Sequence, residues 1–288
     1  MVDRSADPGG GASQAQAFYE TYVEEHVPYH RSPRGLKGFV LRFLPYWSYR
    51  EWRFWRRWVP PGCALLDLGC ARGREIFRER ARSATGVDLA RNALLDCARE
   101  YDLAAVASLG ALPFREASFD CVVSSHVMGH VPPEAKDGVV AEVARVLRRG
   151  GLSLHVIETD GRHRLAELAK ADPELYRRRL LDPDGHVGLE PARKAVRRFE
   201  RHGFRLRALD AMESGPLHPR LAVKWFDNEY REQSPEFDRL VRRAHATLAS
   251  PLRLAAAEIG LEAWRRTLGQ RPGCVARALF VAAAFERC

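Results

Sequence analysis

Hydrophobic and polar positions follow two repeating patterns along the middle of this 288-residue chain. Short apolar runs alternate with longer stretches in which apolar residues have helical spacing. The runs predict strands near residues 64–68, 84–88, 104–108, 119–125, 152–158 and 204–210. The longer stretches predict helices near residues 73–82, 91–101, 134–148, 162–170 and 189–202. This alternation predicts an α/β fold, a doubly wound and mostly parallel sheet with helices on both faces.

Helical patterns flank this core on both sides. We expect a disordered N-terminus over 1–16, an N-terminal helical segment over 17–59 and the core over 60–212. A helical insertion is predicted over 213–272, followed by a final core strand over 273–288. The insertion either caps a substrate site or packs away from it, and the pattern leaves both alternatives open.

A glycine-bearing turn follows the first predicted strand. Asp67 ends that strand, the small residues of the loop are Gly69, Ala71 and Gly73, and Asp88 ends the next strand. An acid about 20 residues after such a loop is well placed to accept hydrogen bonds from ribose hydroxyls. The sixth loop position lacks the glycine of a dinucleotide site, and the phosphate-binding loop of ATPases is absent. The loop therefore predicts an adenosine-containing cofactor without a pyrophosphate.

Two further motifs follow in order. The sequence LPFREASFDCVVSSH leads into the predicted fourth strand. In EVARVLRRGGLSL, a double glycine is predicted to end a helix before the fifth strand begins. With the glycine loop and Asp88, these motifs resemble the class I S-adenosylmethionine-dependent methyltransferases, in the small-molecule branch often called type 11. The resemblance implies a Rossmann-like seven-stranded sheet. It also implies in-line transfer of a methyl group from S-adenosyl-L-methionine to a small-molecule acceptor, at oxygen.

The same resemblance implies which residues hold the cofactor. The loop would present its backbone to methionine and ribose, Asp67 would orient the loop or the methionyl amino group, and Asp88 would accept from the ribose hydroxyls. The implied cofactor-binding residues are Asp67, Gly69, Cys70, Ala71, Gly73, Asp88, Leu89, Ser108, Leu109 and Ser125. Two positions depart from the family, since Ala71 replaces a glycine and Ser108 replaces an acid. A binding module without activity is therefore an alternative.

Catalytic groups are expected beyond the carboxyl ends of the strands, where ligands of open α/β sheets bind. His126 and Glu158 end the fourth and fifth predicted strands, His130 follows one turn after His126, and His186 precedes a helix. Histidine titrates near neutral pH, so His186, His126 and His130 are candidate bases for a hydroxyl acceptor. A structural hydrogen bond is the competing interpretation for each of them.

Residues 39–59 combine aromatic and basic side chains. Ser48 and Glu51 have the spacing of a capping box, and Trp52 and Trp55 share one side of the helix that it would open. Such a helix either packs on the sheet with its arginines in water or contacts a membrane surface peripherally. The second alternative favours a lipid-linked or glycan acceptor.

Composition bears on the class of acceptor, on metal binding and on the cellular location of the protein. The net charge of +9 is carried mainly by arginines spread over all predicted helices, which disfavours a nucleic-acid acceptor and leaves a small molecule. The six cysteines have no paired metal-ligand spacing, and we expect no metal. An acidic, glycine-rich start and the lack of a long apolar run argue against a signal peptide or membrane span. A reduced, cytoplasmic setting is expected, with the oligomeric state left open.

Overall fold

The computed structural model describes residues 17–21, 30–44 and 46–288. Its strands form one seven-stranded sheet in the order β3-β2-β1-β4-β5-β7-β6. Strands β1 to β5 are parallel, and β7 runs antiparallel to both β5 and β6. The strands are β1 (Cys63–Leu68), β2 (Ala81–Asp88), β3 (Leu103–Val106), β4 (Phe119–Ser125), β5 (Leu147–Glu158), β6 (Phe204–Met212) and β7 (Phe280–Arg287). The predicted fold class is confirmed, whereas the expected disordered N-terminus lies outside the described residues.

Helices lie between the strands and before the sheet. In the core they are α3 (Glu75–Arg80), α4 (Arg91–Glu100), α5 (Lys136–Val146), α6 (Arg164–Ala169), α7 (Pro173–Tyr176) and α8 (Ala192–Arg201). Helices α1 (Gly35–Phe43) and α2 (Arg50–Trp58) precede the sheet. Between β6 and β7 lie α9 (Pro219–Phe226), α10 (Tyr230–Gln233), α11 (Pro235–Leu248), α12 (Pro251–Thr267) and α13 (Pro272–Val275).

The strands at the centre of the sheet are buried on both faces. Neighbouring residues of a strand point to opposite faces, so Leu66 packs in a cluster with Val143 of α5, and Leu65 packs in a second cluster with Trp55 of α2. All six residues of β1 are buried. Helices on both faces thus hold the carboxyl ends of β1, β2, β4 and β5 at one edge, where ligands bind in such sheets.

Two local predictions about turns were wrong. Ser48 does not cap α2, because both its backbone N–H and its hydroxyl donate to the carboxylate of Glu258, at 2.7 and 2.5 Å. The double glycine at 150–151 does not end α5, which stops at Val146 and passes directly into β5. The glycines instead lie where the register between β4 and β5 shifts. Long-range pairing outweighs the local signal in both cases.

The end of the chain also differs from its predicted bounds. Helix α12 continues through Gly260, and the final strand begins at Phe280 rather than at 273. Pro272 starts a short helix there, because its fixed φ and missing N–H suit a first helical position and not a central strand.

Two aromatic side chains of α2 are buried and most of its basic side chains are half-buried, whereas Arg57 is exposed. Trp55 is 1% exposed and Phe54 is 4% exposed. The guanidinium of Arg53 lies 2.7 Å from a carboxylate oxygen of Glu262, and that of Arg50 lies 3.6 Å from Glu213. Part of the aromatic and basic segment that suggested a membrane-surface helix thus belongs to a buried network of ion pairs. No helix among the described residues has the length and apolar character needed to cross a bilayer.

Candidate functional site

One cavity of about 950 Å³ lies at the carboxyl ends of the central strands. It is lined by the glycine loop, the ends of β2, β4 and β5, and the start of the helical insertion. The predicted residues that line it are Gly69, Cys70, Ala71, Gly73, Asp88, Leu89, Ser108, Leu109, Ser125, His126, His130 and His186. The structure therefore brings the expected cofactor residues and the three candidate bases into a single space.

The loop after β1 keeps the backbone conformation that its glycines suggest. Gly69 and Gly73 have φ values of 62° and 83°, and Ala71 adopts a φ of 45° despite its side chain. A β-carbon at Gly69 would lie 2.5 Å from Cγ2 of Val127, so only glycine fits there. The methyl group of Ala71 packs against Ala90 at the start of α4. The departure from the family pattern is thus accommodated with a strained backbone.

Asp88 fixes this loop from the neighbouring strand. Its Oδ2 accepts from the N–H of Ala71 at 2.8 Å, and its Oδ1 accepts from the N–H of Ala90 at 2.9 Å. Burial raises the pKa of Asp88, and the backbone donors oppose that rise. A carboxylate oxygen accepts more than one hydrogen bond, so both oxygens retain capacity for hydroxyls in the cavity.

Asp67 is the one predicted residue that does not line the cavity. It is 2% exposed, and burial raises its pKa to about 7. Its Oδ2 accepts from the hydroxyl of Tyr101 at 2.8 Å, and that hydroxyl accepts from the N–H of Arg74 at 2.9 Å. Asp67 therefore orients the end of the glycine loop through Tyr101.

Arg74 and Tyr19 are cavity residues that the sequence did not single out. The guanidinium of Arg74 donates to the hydroxyl of Ser125 at 2.7 Å, which joins the loop to the end of β4. The ring of Tyr19 packs against the cluster around Ala71 and contacts the His130 ring edge-on at 5.8 Å. The positive charge in the loop was visible in the sequence, whereas nothing local indicated Tyr19.

His126 lies between two carboxylates. Its Nδ1 is 2.8 Å from Oε1 of Glu158, and its Nε2 is 3.2 Å from Oε1 of Glu51. Burial opposes protonation of the ring, but the two carboxylates outweigh it and raise the pKa of His126 to about 10. Its φ of 59° is rare for a residue with a side chain and is held by the fold around it. His126 is therefore a cation at neutral pH.

His130 and His186 form a second group on the same wall. Their rings stack with centroids 5.0 Å apart, and Nδ1 of His130 lies 3.2 Å from the carbonyl oxygen of Gly185. Burial lowers the pKa of His186, against the attraction of Glu158. One ring nitrogen from each histidine and one oxygen of Glu158 lie within 4.8 Å of one another. These three residues could hold a metal ion, a site that the sequence did not suggest.

The far side of the cavity is apolar. Helix α9 of the insertion contributes Leu221, Lys224 and Trp225, so this part of the insertion reaches the cavity while α11 and α12 lie behind it. The ring of Trp225 stacks on Phe280 at 6.2 Å, and Phe280 contacts the ring of His126. The apolar side chains that line the cavity include Val131, Leu165, Leu180, Leu189, Leu217, Leu221, Trp225 and Phe226.

Comparison with known proteins agrees with this geometry. Residues 66–154 match the family model described as a methyltransferase domain. The chain is 35% identical over 100 residues to a ubiquinone biosynthesis O-methyltransferase of Idiomarina loihiensis, a match that covers 31% of this chain and 40% of that protein. It is 32% identical over 98 residues to a tRNA (carboxymethyluridine(34)-5-O)-methyltransferase of Xenopus tropicalis, covering 33% of this chain and 15% of that one.

Whole-chain similarity is found at the level of the fold. The crystal structure of the cyclase SpnF superposes with a TM-score of 0.54 at 15% identity, covering 96% of each chain. The curated relatives above are matched over 15% to 40% of their own length. The match to the family model, over 66–154, extends from β1 into β5.

Proposed function

Because its domain at 66–154 places this chain among the class I S-adenosylmethionine-dependent methyltransferases, we propose that it transfers a methyl group to a hydroxyl oxygen of a small, largely apolar molecule. One observation carries this proposal. A single cavity joins the glycine loop and Asp88 to a wall of ionisable side chains and an apolar far side. The cofactor and the acceptor would thus bind in neighbouring parts of one cavity, with the ionisable side chains between them.

The residues present fit the cofactor. The left-handed backbone of the loop and the spare acceptor capacity of Asp88 suit a ribose and its neighbouring groups. Leu89 and Leu109 would contact the adenine. Arg74 and Ser125 present a cation and a hydroxyl that suit the carboxylate of the methionine portion.

The acceptor half of the cavity supports an apolar partner. Aliphatic and aromatic side chains dominate this side, with Lys224 at its edge. Pockets of this kind bind compact organic molecules and orient them through a few polar groups. A polynucleotide would need a basic groove instead. The relative named for ubiquinone biosynthesis is an O-methyltransferase and supports an oxygen acceptor.

A hydroxyl acceptor must lose its proton as it reacts. When bound, the cofactor supplies an activated methyl group, so that an O–CH₃ bond forms, the S–CH₃ bond breaks with its electron pair left on sulfur, and the hydroxyl proton leaves. His126 is already protonated between Glu51 and Glu158 and cannot receive that proton. His130 and His186 are the groups of the same wall that we assign to activating the hydroxyl. His126 positions Glu158.

The proposal is tested first by binding and then by turnover. Calorimetry should show binding of S-adenosylmethionine and S-adenosylhomocysteine, with an affinity reduced more than tenfold in Asp88→Ala. Cofactor labelled in its methyl group is then incubated with phenols and hydroxyquinones that carry alkyl chains, and separately with tRNA. Label in the organic products supports the proposal. Label in tRNA alone, or binding without any turnover, would overturn it, and the second result would identify a binding module.

A second candidate acceptor is a lipid-linked molecule at a membrane surface. Helix α1 favours it, since Leu36, Phe39, Val40 and Phe43 lie on one face and are 42% to 79% exposed. Such a face suits the boundary between headgroups and acyl chains. Enrichment on anionic liposomes that is lost in Phe39→Ser/Phe43→Ser would support this candidate, and equal recovery of both proteins in the supernatant would contradict it. In either case we place the reaction in the cytoplasm, where the free cysteines of the described residues stay reduced.

A further inference from the structure

We propose that His130, Glu158 and His186 bind a divalent transition-metal ion on the acceptor side of the cavity. The three residues come from different parts of the chain: the turn after β4, the end of β5 and the loop before α8. One ligand atom from each lies within 4.8 Å of the others. Two imidazoles and one carboxylate are the donor set of many catalytic metal sites in proteins.

The environment of the Glu158 carboxylate favours binding of a cation. Oε1 of Glu158 is 2.8 Å from Nδ1 of His126, whereas Oε2 is buried and finds no hydrogen-bond partner in the part of the chain that the structure describes. A buried carboxylate oxygen without a partner is costly, because it has lost water and gained nothing in exchange. The Glu158 side chain lines the cavity, so an ion there would satisfy that oxygen.

Both imidazoles have one nitrogen engaged with the backbone. Nδ1 of His130 lies 3.2 Å from the carbonyl oxygen of Gly185, which as donor leaves the lone pair on Nε2. The ring of His186 has a hydrogen bond to the backbone of Leu180. Hydrogen bonds of this kind fix the tautomer and orientation of metal-binding histidines.

Gly129 allows the ligands to approach one another. A β-carbon at this position would lie 3.1 Å from Oε2 of Glu158 and 3.2 Å from Cδ2 of His186. Both contacts are tighter than ordinary packing, so the ligand atoms converge over a residue that has no side chain. This close convergence distinguishes the group from histidines that share a surface by chance.

The donor set selects the class of ion. Imidazole nitrogen suits Zn²⁺, Fe²⁺, Ni²⁺ or Cu²⁺, whereas Ca²⁺ and Mg²⁺ prefer oxygen ligands. Three protein ligands leave positions open toward the cavity. If the proposed function holds, His130 and His186 would activate the hydroxyl through the ion that they bind: an acceptor oxygen would take an open position, its hydroxyl acidity would rise, and its proton would pass to solvent. Ion binding itself does not depend on that function.

The test uses the full chain, free of any affinity tag and stripped with a chelator. Co²⁺ is titrated while its visible absorption is recorded, and Zn²⁺ is then added as a competitor. We expect one equivalent of Co²⁺ per chain, displaced by Zn²⁺. Affinity should fall at least tenfold in Glu158→Gln, His130→Ala and His186→Ala. His245→Ala is the matched control, because that histidine pairs with Asp227 at the surface, and it should bind as the parent does.

A thermal melt gives a second reading. Zn²⁺ should raise the Tm of the parent chain and of His245→Ala, and leave the Tm of His130→Ala and His186→Ala unchanged. If Glu158→Gln does not fold, the two histidine variants alone test the metal site. Binding that is absent from the parent, or equal in the parent and both histidine variants, would overturn the site. Co²⁺ binding without methyl transfer would leave the site standing and remove the proposed function.

Discussion

Nε2 of His126 lies 3.2 Å from Oε1 of Glu51, a residue 75 positions earlier in the chain. Glu51 is in the first turn of α2, and His126 follows the last residue of β4. The contact connects the N-terminal helical segment directly to the wall of the cavity. It also explains why His126 is cationic, since the second carboxylate, Glu158, contacts the other ring nitrogen.

Removing Glu51 should destabilise the protein. Glu51→Ala leaves His126, Arg50 and Arg74 without a shared carboxylate, and the free energy of unfolding should fall by about 3 kcal/mol, as when one partner of a buried ion pair is lost. Urea unfolding measures the change. Glu134→Ala, on an exposed acid, should stay within about 0.5 kcal/mol of the parent. Equal midpoints for the two variants would contradict this account.

Ala71 sets a limit on what the cofactor loop accepts. Its φ of 45° suits glycine, tolerates alanine and resists β-branched residues. By calorimetry with S-adenosylhomocysteine, Ala71→Gly should bind at least as tightly as the parent, and Ala71→Val more than tenfold more weakly. Ala117 has a φ of 50° outside the cavity, so Ala117→Val should lower stability and leave the affinity unchanged. Similar affinities for both valine variants would show that the loop is not a binding element.

Trp225 is expected to serve the acceptor rather than the cofactor. It lines the apolar side and stacks on Phe280, so truncation removes an aromatic surface without touching the glycine loop. In Trp225→Ala the KM for the acceptor found by the labelling assay should rise about tenfold, with the cofactor affinity unchanged. Leu252→Ala, on an exposed residue of α12, is the control for the insertion. A tenfold loss of cofactor affinity in Trp225→Ala would show that Trp225 serves the cofactor and not the acceptor.

Glu213 makes stability depend on pH. Burial raises its pKa to about 7, although Arg50 lies 3.6 Å away. The folded chain therefore keeps a proton that the unfolded chain releases above about pH 4.5, so this group lowers stability as pH rises toward 7. The unfolding free energy of Glu213→Gln relative to that of the parent should rise by about 2.5 kcal/mol between pH 5 and pH 8.

Urea unfolding of both proteins at each pH measures that difference. Glu134→Gln, an exposed change of the same kind, should follow the parent across the range. A difference between Glu213→Gln and the parent that stays constant with pH would show that Glu213 is ionised in the folded chain throughout.

Local features of the sequence determined the fold and the cofactor loop. The alternation of strands and helices, the glycines at 69 and 73, and the acid at the end of β2 depend on neighbours a few residues apart. Their geometry follows from backbone sterics and side-chain periodicity, which are readable from the chain alone. These features were sufficient to predict the sheet and to identify Asp88 as a candidate cofactor-binding residue.

Only the tertiary structure decided how the ionisable groups are paired. The sequence pattern predicted Glu51 in a helix cap, left the arginines of that helix either in water or at a membrane surface, and offered His126 as a base. In the fold Glu51 pairs with His126, and Arg53 pairs with Glu262. His130, Glu158 and His186 likewise have no characteristic spacing and meet only because the turn after β4, the end of β5 and the loop before α8 converge. Charge, pKa and metal affinity depend on distances of a few ångströms between residues remote in sequence. Those distances cannot be read from local patterns in the sequence.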